Sequence, residues 1–244
     1  VPVLLVLAWE AASRAGLIRA QVLPPPSSVL NTAWDMVASG DLFRHLGASL
    51  LRAAAGFAVG GALGFAFGVL TGFSRLAHAL FDRPIQMIRA IPFLALLPLV
   101  IVWFGVDEAG KIFLVALAVF FPIYVNTVLG IRQIDPKLLE VARVAGLTRL
   151  ATVRRIVLPG AMPSVLTGVR YSLATAWLAL VIAETLATTS GIGFLAMDAR
   201  EFLQTDVIVL AIVIYAVIGV AADALARALE RRLLGWHPNF AKEA

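Results

Sequence analysis

Two carboxylates inside apolar runs are the residues best placed to do chemistry. Glu184 lies two-thirds of the way along one run that is long enough to cross a bilayer, and Asp223 lies near the end of another. A charge in hydrocarbon costs roughly 3 kcal/mol or more unless it faces protein, water or a counterion. Glu184 is therefore expected either to line a pathway, paired with a cation, or to cap a neighbouring helix. Asp223 has Arg227 four residues later, and this spacing predicts a structural intrahelical ion pair.

The usual catalytic patterns are missing from the sequence. No GxxxxGK[ST] phosphate loop occurs, because the Gly110-Lys111 pair is followed by isoleucine. The three histidines are far apart with no HExxH pair, and no serine lies in a GxSxG elbow. We therefore expect no catalytic residue, no metal site and no ATP hydrolysis by this chain. A membrane enzyme is the weakest of the functions considered.

The segment 135–163 is a basic, polar island between apolar runs. Asp135 can cap free backbone amides and Pro136 suits the first position of a helix, so a short helix is predicted to begin here. Gly146 is predicted to end it. The residues on one face of this helix are Leu138, Leu139, Ala142 and Ala145.

A second short helix is predicted from about residue 148 to residue 157, where Pro159 closes it. This helix presents the side chains of Arg149, Arg154 and Arg155. Two short helices hinged at a glycine form a compact protrusion on a membrane surface. Such a protrusion is suited to docking into a groove on a soluble partner.

The composition indicates a membrane protein. Hydrophobic residues make up 61% of the chain and charged residues only 14%, with a net charge of +5. The positive charges cluster beside apolar runs rather than on one soluble face, which favours membrane topology over a nucleic-acid partner. We predict an all-α integral membrane protein, a polytopic bundle of about six transmembrane helices in the lipid bilayer.

The chain is predicted to form a single membrane domain, 1–244, with alternating spans and connections. Because the sequence opens without methionine, the first span is expected to be truncated. Polar turns are expected at 74–89 and 107–111, with a third span over 90–106 between them, in which Pro92 and Pro98 are expected to introduce kinks. The predicted parts are a truncated first span at 1–18, an external segment at 19–45, spans two to four at 46–131, a cytoplasmic loop at 132–163, spans five and six at 164–229, and a cytoplasmic tail at 230–244.

Small residues recur at every fourth position of the second span. On a helix they form one smooth stripe, which lets another backbone approach closely. This stripe predicts a tightly packed seam, either within the subunit or against a second copy. Its members are Gly56, Gly60, Gly64, Gly68 and Gly72.

The distribution of lysine and arginine predicts the orientation. Fourteen of these residues lie on the side of the basic segment and five on the other side, with Arg52 left out as a span boundary. Because positive charge concentrates on the cytoplasmic side, the basic segment and both termini are predicted to be cytoplasmic.

The basic segment resembles the EAA loop of ABC importer permeases. That loop is written as EAA, three residues, Gly, nine residues, Ile, one residue and Leu-Pro. The chain matches both spacings and differs only by Val141 in place of the first alanine. The matching residues are Glu140, Ala142, Gly146, Ile156, Leu158 and Pro159.

The resemblance covers nearly the whole chain and implies an inner-membrane permease of a bacterial type I ABC importer. The stretch from Glu184 to Pro238 is most similar to the aliphatic-sulfonate permeases within the nitrate, taurine and sulfonate branch. The resemblance implies a homodimer that docks two ATPase subunits, which bind ATP and magnesium, and receives solute from a periplasmic binding protein. Residues 138–145 would be the coupling helix. A taurine, nitrate or other small-solute permease is the alternative within the family, and a secondary transporter is the alternative outside it.

Overall fold

The computed structural model describes residues 2–19, 21–185 and 188–236, and all the regular structure in these ranges is helical. The predicted all-α fold is thus confirmed. Val1, Ala20, residues 186–187 and residues 237–244 lie outside the described residues. These residues belong to the ends of the predicted first span and cytoplasmic tail, to the predicted external segment (one residue) and to the predicted spans five and six (two residues), and these parts of the predictions are not addressed.

The described helices alternate between long apolar elements and short connecting ones. In chain order they are α1 (Pro2–Arg14), α2 (Pro26–Ser39), α3 (Asp41–Phe73), α4 (Arg75–Arg89), α5 (Phe93–Phe104), α6 (Glu108–Arg132), α7 (Pro136–Val144), α8 (Arg149–Glu184), α9 (Ile192–Glu201) and α10 (Thr205–Leu233). Four of them, α3, α6, α8 and α10, are long and apolar enough to cross a membrane, and the bent pair α4–α5 makes up to five. The predicted first span is represented by α1, whose 13 residues are fewer than the roughly 20 that cross a bilayer.

Helix α6 is the centre of the bundle, since α3 and α8 both pack along it. Val115 and Val119 of α6 are buried against Ala176 and Leu180 of α8. Helix α10 packs on α2, α8 and α9. This arrangement places the starts of α3 and α6 and the end of α8 at one end of the bundle, while α7 lies at the other.

The predicted polar turn at 74–89 is wrong, because these residues form helix α4. A π-helical turn, His78–Asp82, lies immediately before Pro84. Proline has no amide hydrogen and its ring crowds the preceding turn, and a widened turn relieves both problems. Charged side chains here therefore sit on a helix and not in a loop.

The third span, predicted over 90–106 with kinks at its prolines, contains a sharp break. Helices α4 and α5 meet at a bend of 93°, and α5 opens with the 3₁₀ turn Phe93–Leu96. The bend follows from Pro92, because the residue before a proline is disfavoured in the α-helical conformation. The third span is therefore a broken element, and Arg89 stands at its break.

The second short helix does not end at Pro159. It continues as the long helix α8, which contains the π-helical turn Val153–Val157. This turn lies just before Pro159, in the same way that the π-helical turn of α4 lies just before Pro84. The predicted closure at this proline is wrong, because the widened turn removes the clash that would end the helix. At its other end α8 stops at Glu184, so this residue is the last of the span and not two-thirds along it.

Candidate functional site

The structure places the basic segment on α7 and the start of α8, with both ends of α7 capped. Asp135 Oδ1 accepts a hydrogen bond from the Lys137 amide at 2.9 Å. At the other end Gly146 has φ of +68°, and the amides of residues 146 and 147 donate to the carbonyls of residues 143 and 142. This pattern is a Schellman motif, which satisfies the last carbonyls of the helix. A short helix capped in this way holds a defined shape at the surface.

Helix α7 buries one small side chain and leaves most of its apolar ones uncovered. Ala142 is 1% exposed, whereas Val144 is 91% exposed. Leu139 and Ile156 are half-buried, and Glu140, Ala145 and Leu158 are exposed. We call the uncovered apolar group the docking surface, and its members are Leu138, Val141 and Val144 of α7 and Leu150 at the start of α8. Exposed arginines flank it, namely Arg143, Arg149, Arg154 and Arg155.

A buried cluster of charges occupies the opposite end of the bundle. Arg52 is 3% exposed and Glu184 is 1% exposed. The Arg52 guanidinium donates to Glu184 at 2.7 Å and to both oxygens of Glu108 at 2.5 and 2.7 Å. It also donates to the carbonyl and hydroxyl of Ser190. One arginine therefore joins α3, α6, α8 and the connection that precedes α9.

The connection before α9 encloses the Glu184 carboxylate. Ser49 donates to it at 2.8 Å and the Gly193 amide donates at 3.0 Å. Gly191 has φ of +117°, and a side chain there would collide with the Glu184 carboxylate. Only glycine combines this backbone conformation with so close an approach. Glu184 thus has the contacts of a structural counterion, and its pathway role stays a prediction.

Arg52 is the main residue that sequence reasoning missed. In the sequence it marks only the boundary of a span, because its partners lie 56 and 132 residues away. The sequence did indicate that Glu184 would need a cation as a partner, but it did not indicate which residue supplies that cation. The Asp223–Arg227 pair, in contrast, is local and is confirmed, and Arg170 adds a contact to Asp223 at 2.7 Å.

The glycine stripe of α3 lies against α6 of the same chain. A Cβ added to Gly64 would stand 2.6 Å from the Phe120 carbonyl, and one added to Gly68 would stand 2.6 Å from Thr127. The added Cβ at Gly60 would overlap the backbone of Ala116. Gly56 and Gly72 face Val115 and Ile131 in the same way. Of the two seams considered, the structure shows the one within the subunit.

Comparison with known families gives the class of protein to which this fold belongs. Residues 60–235 match the model of the binding-protein-dependent transport system inner membrane component family. The chain belongs to this family of multi-pass inner-membrane permeases.

Relatives of this chain include two proteins named as sulfonate permeases and one named as a taurine permease. The chain is 51% identical over 239 residues to the Escherichia coli (strain K12) protein SsuC, named as an aliphatic sulfonates transport permease, covering 98% of this chain and 91% of that one. It is 44% identical to SsuC of Bacillus subtilis (strain 168), covering 98% and 87%. It is 36% identical to the Escherichia coli taurine transport system permease protein TauC, covering 96% and 86%.

Solved structures show the same fold. An inward-facing structure of the MetNI methionine ABC transporter aligns with a TM-score of 0.59 at 20% identity, covering 77% of this chain and 95% of that chain. The predicted type I ABC importer permease fold is thus confirmed.

Proposed function

We propose that this chain is the membrane subunit of an ATP-driven importer for a small anionic solute, an aliphatic sulfonate. The 51% identity to SsuC supports this solute class, and the 36% identity to TauC makes taurine the alternative to test first. The solute is delivered by a periplasmic binding protein. A pair of ATPase subunits binds ATP and magnesium, and this chain forms a homodimer between them and the binding protein.

The observation that carries the proposal is the docking surface on α7. Val144 is 91% exposed on the capped helix α7, and Leu150 is 78% exposed at the start of α8. Uncovered apolar side chains in one patch mark an interaction site. The flanking arginines favour a partner with an acidic rim around an apolar groove. An ATPase subunit with such a groove would seat α7 as a coupling helix.

The continuous helix α8 supplies a mechanical link between the two ends of the bundle. It runs for 36 residues from Arg149, beside the docking surface, to Glu184 in the buried charge cluster. At a rise of about 1.5 Å per residue it is about 54 Å long. ATP can shift the conformation only by favouring one state of the ATPase pair. Movement of the seated α7 would be transmitted along α8 to the opposite, periplasmic end.

The orientation that we propose follows from the charge bias of the sequence. The docking surface and both termini face the cytoplasm, where ATP is present. Arg89 lies at a helix break rather than in a cytoplasmic turn. Without Arg89, the proposed cytoplasmic side still has more lysine and arginine residues than the other side.

The contacts of the intramembrane carboxylates disfavour a secondary transporter. Ion-coupled carriers need a carboxylate that can bind and release a proton or sodium ion. Glu184 is paired with Arg52, and Asp223 is paired with Arg170 and Arg227. Both candidate coupling groups are therefore already neutralised by arginine.

Co-purification with the ATPase subunit tests the docking role. Val144→Asp places a charge on the docking surface, and Val22→Asp makes the same change at another exposed valine, before α2. We expect Val144→Asp to lower the recovered ATPase at least tenfold, while Val22→Asp recovers the wild-type amount. Equal recovery with both variants would contradict docking on α7.

A further inference from the structure

A cavity lies where the third span is broken. It has a volume of about 360 Å³ and is bordered by Arg89 of α4, Phe121, Pro122 and Asn126 of α6, and Tyr171 and Thr175 of α8. Ligand sites commonly have volumes of about 300–1,000 Å³. Because α6 extends from residue 108 to residue 132, the cavity lies beside the middle of that helix.

Arg89 is the cation of this cavity, and it has no partner. Among the described residues its guanidinium makes no ion pair and no hydrogen bond, unlike Arg52 and Arg170. The Arg89 side chain is exposed on the single chain, but an unpaired charge at this depth in a bilayer is costly, and such residues mark solute or ion pathways. Its place at the C-terminal end of α4 offsets part of the cost through the helix dipole. The remaining cost indicates that an anion arrives from outside the chain.

Of the other polar side chains that line the cavity, two make hydrogen bonds within the chain and one does not. Pro122 deprives the Ala118 carbonyl of its amide donor, and Thr175 Oγ1 donates to that carbonyl at 3.1 Å. Asn126 Nδ2 donates to the Pro122 carbonyl at 2.8 Å. The Tyr171 hydroxyl makes no hydrogen bond among the described residues, so it remains available as a donor in the cavity that Arg89 also lines.

We propose that Arg89 and Tyr171 form a transient anion site that holds the sulfonate group of the solute halfway across the membrane. A guanidinium offers paired donors that match the oxygens of a tetrahedral anion. A lipid phosphate is the other source of such oxygens, but headgroups lie at the bilayer surface and not beside the middle of α6. This inference rests on the proposed importer function and names a residue pair that would select its solute.

Uptake of a labelled small alkanesulfonate tests the site in proteoliposomes holding the permease, its ATPase and the binding protein. Arg89→Gln removes the free cation, and Arg83→Gln makes the same change on the same helix outside the cavity. We expect Arg89→Gln to lower uptake per ATP hydrolysed at least tenfold. Arg83→Gln should stay within twofold of wild type, and Arg89→Lys should fall between them.

Three results would overturn the site. Arg89→Gln and Arg83→Gln could transport equally well, which would leave Arg89 only as a support for the end of α4. ATPase recovery could fall together with uptake in both Arg89→Gln and Arg89→Lys, which would assign Arg89 to a contact with a second copy. The defect of Arg89→Gln could change with the anionic lipid content of the vesicles, which would assign it to a lipid phosphate.

Tyr171→Phe gives an independent test, because it removes only the hydroxyl from an exposed side chain. We expect uptake to fall about threefold with normal recovery of the ATPase, and unchanged uptake would remove Tyr171 from the site. Absence of uptake by the wild-type complex would count against the proposed function itself. Wild-type uptake that is insensitive to both changes would count against this site alone.

Discussion

The Arg52 guanidinium lies 2.7 Å from the Glu184 carboxylate, although 132 residues separate the two along the chain. This ion pair joins α3 to the last residue of α8, at the end of the bundle opposite the docking surface. It is therefore the point where a movement transmitted along α8 would meet the rest of the subunit.

Replacing Arg52 should lower the stability of the protein more than replacing Glu184 does. Arg52→Met leaves the Glu184 charge buried with only neutral donors, and such a loss typically costs about 3–5 kcal/mol. Glu184→Gln leaves Arg52 bound to Glu108, so we expect a smaller loss. The measurement is the thermal midpoint of the detergent-purified protein. Arg170→Met, which removes a half-exposed pair, is the control and should change the midpoint least. An equal shift for all three variants would contradict the cluster's role.

The glycine seam predicts a position-dependent effect of alanine. Gly60→Ala would force apart α3 and α6, because the added methyl group overlaps the Ala116 backbone. Overpacking of this kind typically costs about 1–3 kcal/mol. Gly219→Ala on α10 meets nothing within 4 Å and should be neutral. Thermal unfolding of both variants tests this difference, and a stable Gly60→Ala protein would show that the seam is looser than described.

The proline of α6 predicts a coupled pair of substitutions. Thr175→Val should destabilise the protein by about 1–2 kcal/mol, because the Ala118 carbonyl loses its donor. Pro122→Ala restores an amide that can bond to that carbonyl, so Thr175→Val should cost less in this background. A double-mutant cycle on unfolding midpoints measures the coupling. Additive effects would show that the hydroxyl does not compensate for the proline.

The turn after α7 predicts which residues can replace Gly146. Its φ of +68° favours glycine and is tolerated by asparagine, whereas a β-branched residue is strained there. We expect Gly146→Asn to keep at least half of the ATP-driven uptake and Gly146→Val to lose most of it. Gly146→Arg should also uncouple transport while leaving membrane insertion intact. Wild-type uptake and ATPase co-purification with Gly146→Val would argue that α7 needs no fixed shape.

The features that sequence reasoning located well are local ones. The cap at Asp135, the turn at Gly146 and the Asp223–Arg227 pair each depend on residues within a few positions of one another. The glycine stripe was visible because its spacing matches one face of a helix, although its partner helix was not specified.

The errors came from prolines and from contacts that are distant in sequence. Pro159 was expected to end a helix, and the charges between residues 74 and 89 were expected to form a turn. Each segment instead remains helical through a π-helical turn, which no simple pattern predicts. Arg52 was missed because only the tertiary packing of α3, α6 and α8 brings its partners together.

ATP-dependent uptake of a labelled alkanesulfonate into proteoliposomes tests the central claim most directly. The vesicles would hold this subunit, its ATPase and the binding protein, with taurine as the competing solute. We predict uptake that requires ATP, stops when the ATPase is omitted, and is stronger for the alkanesulfonate than for taurine. Preference for taurine would contradict the proposed solute. Uptake that persists without the ATPase would contradict an ATP-driven importer altogether.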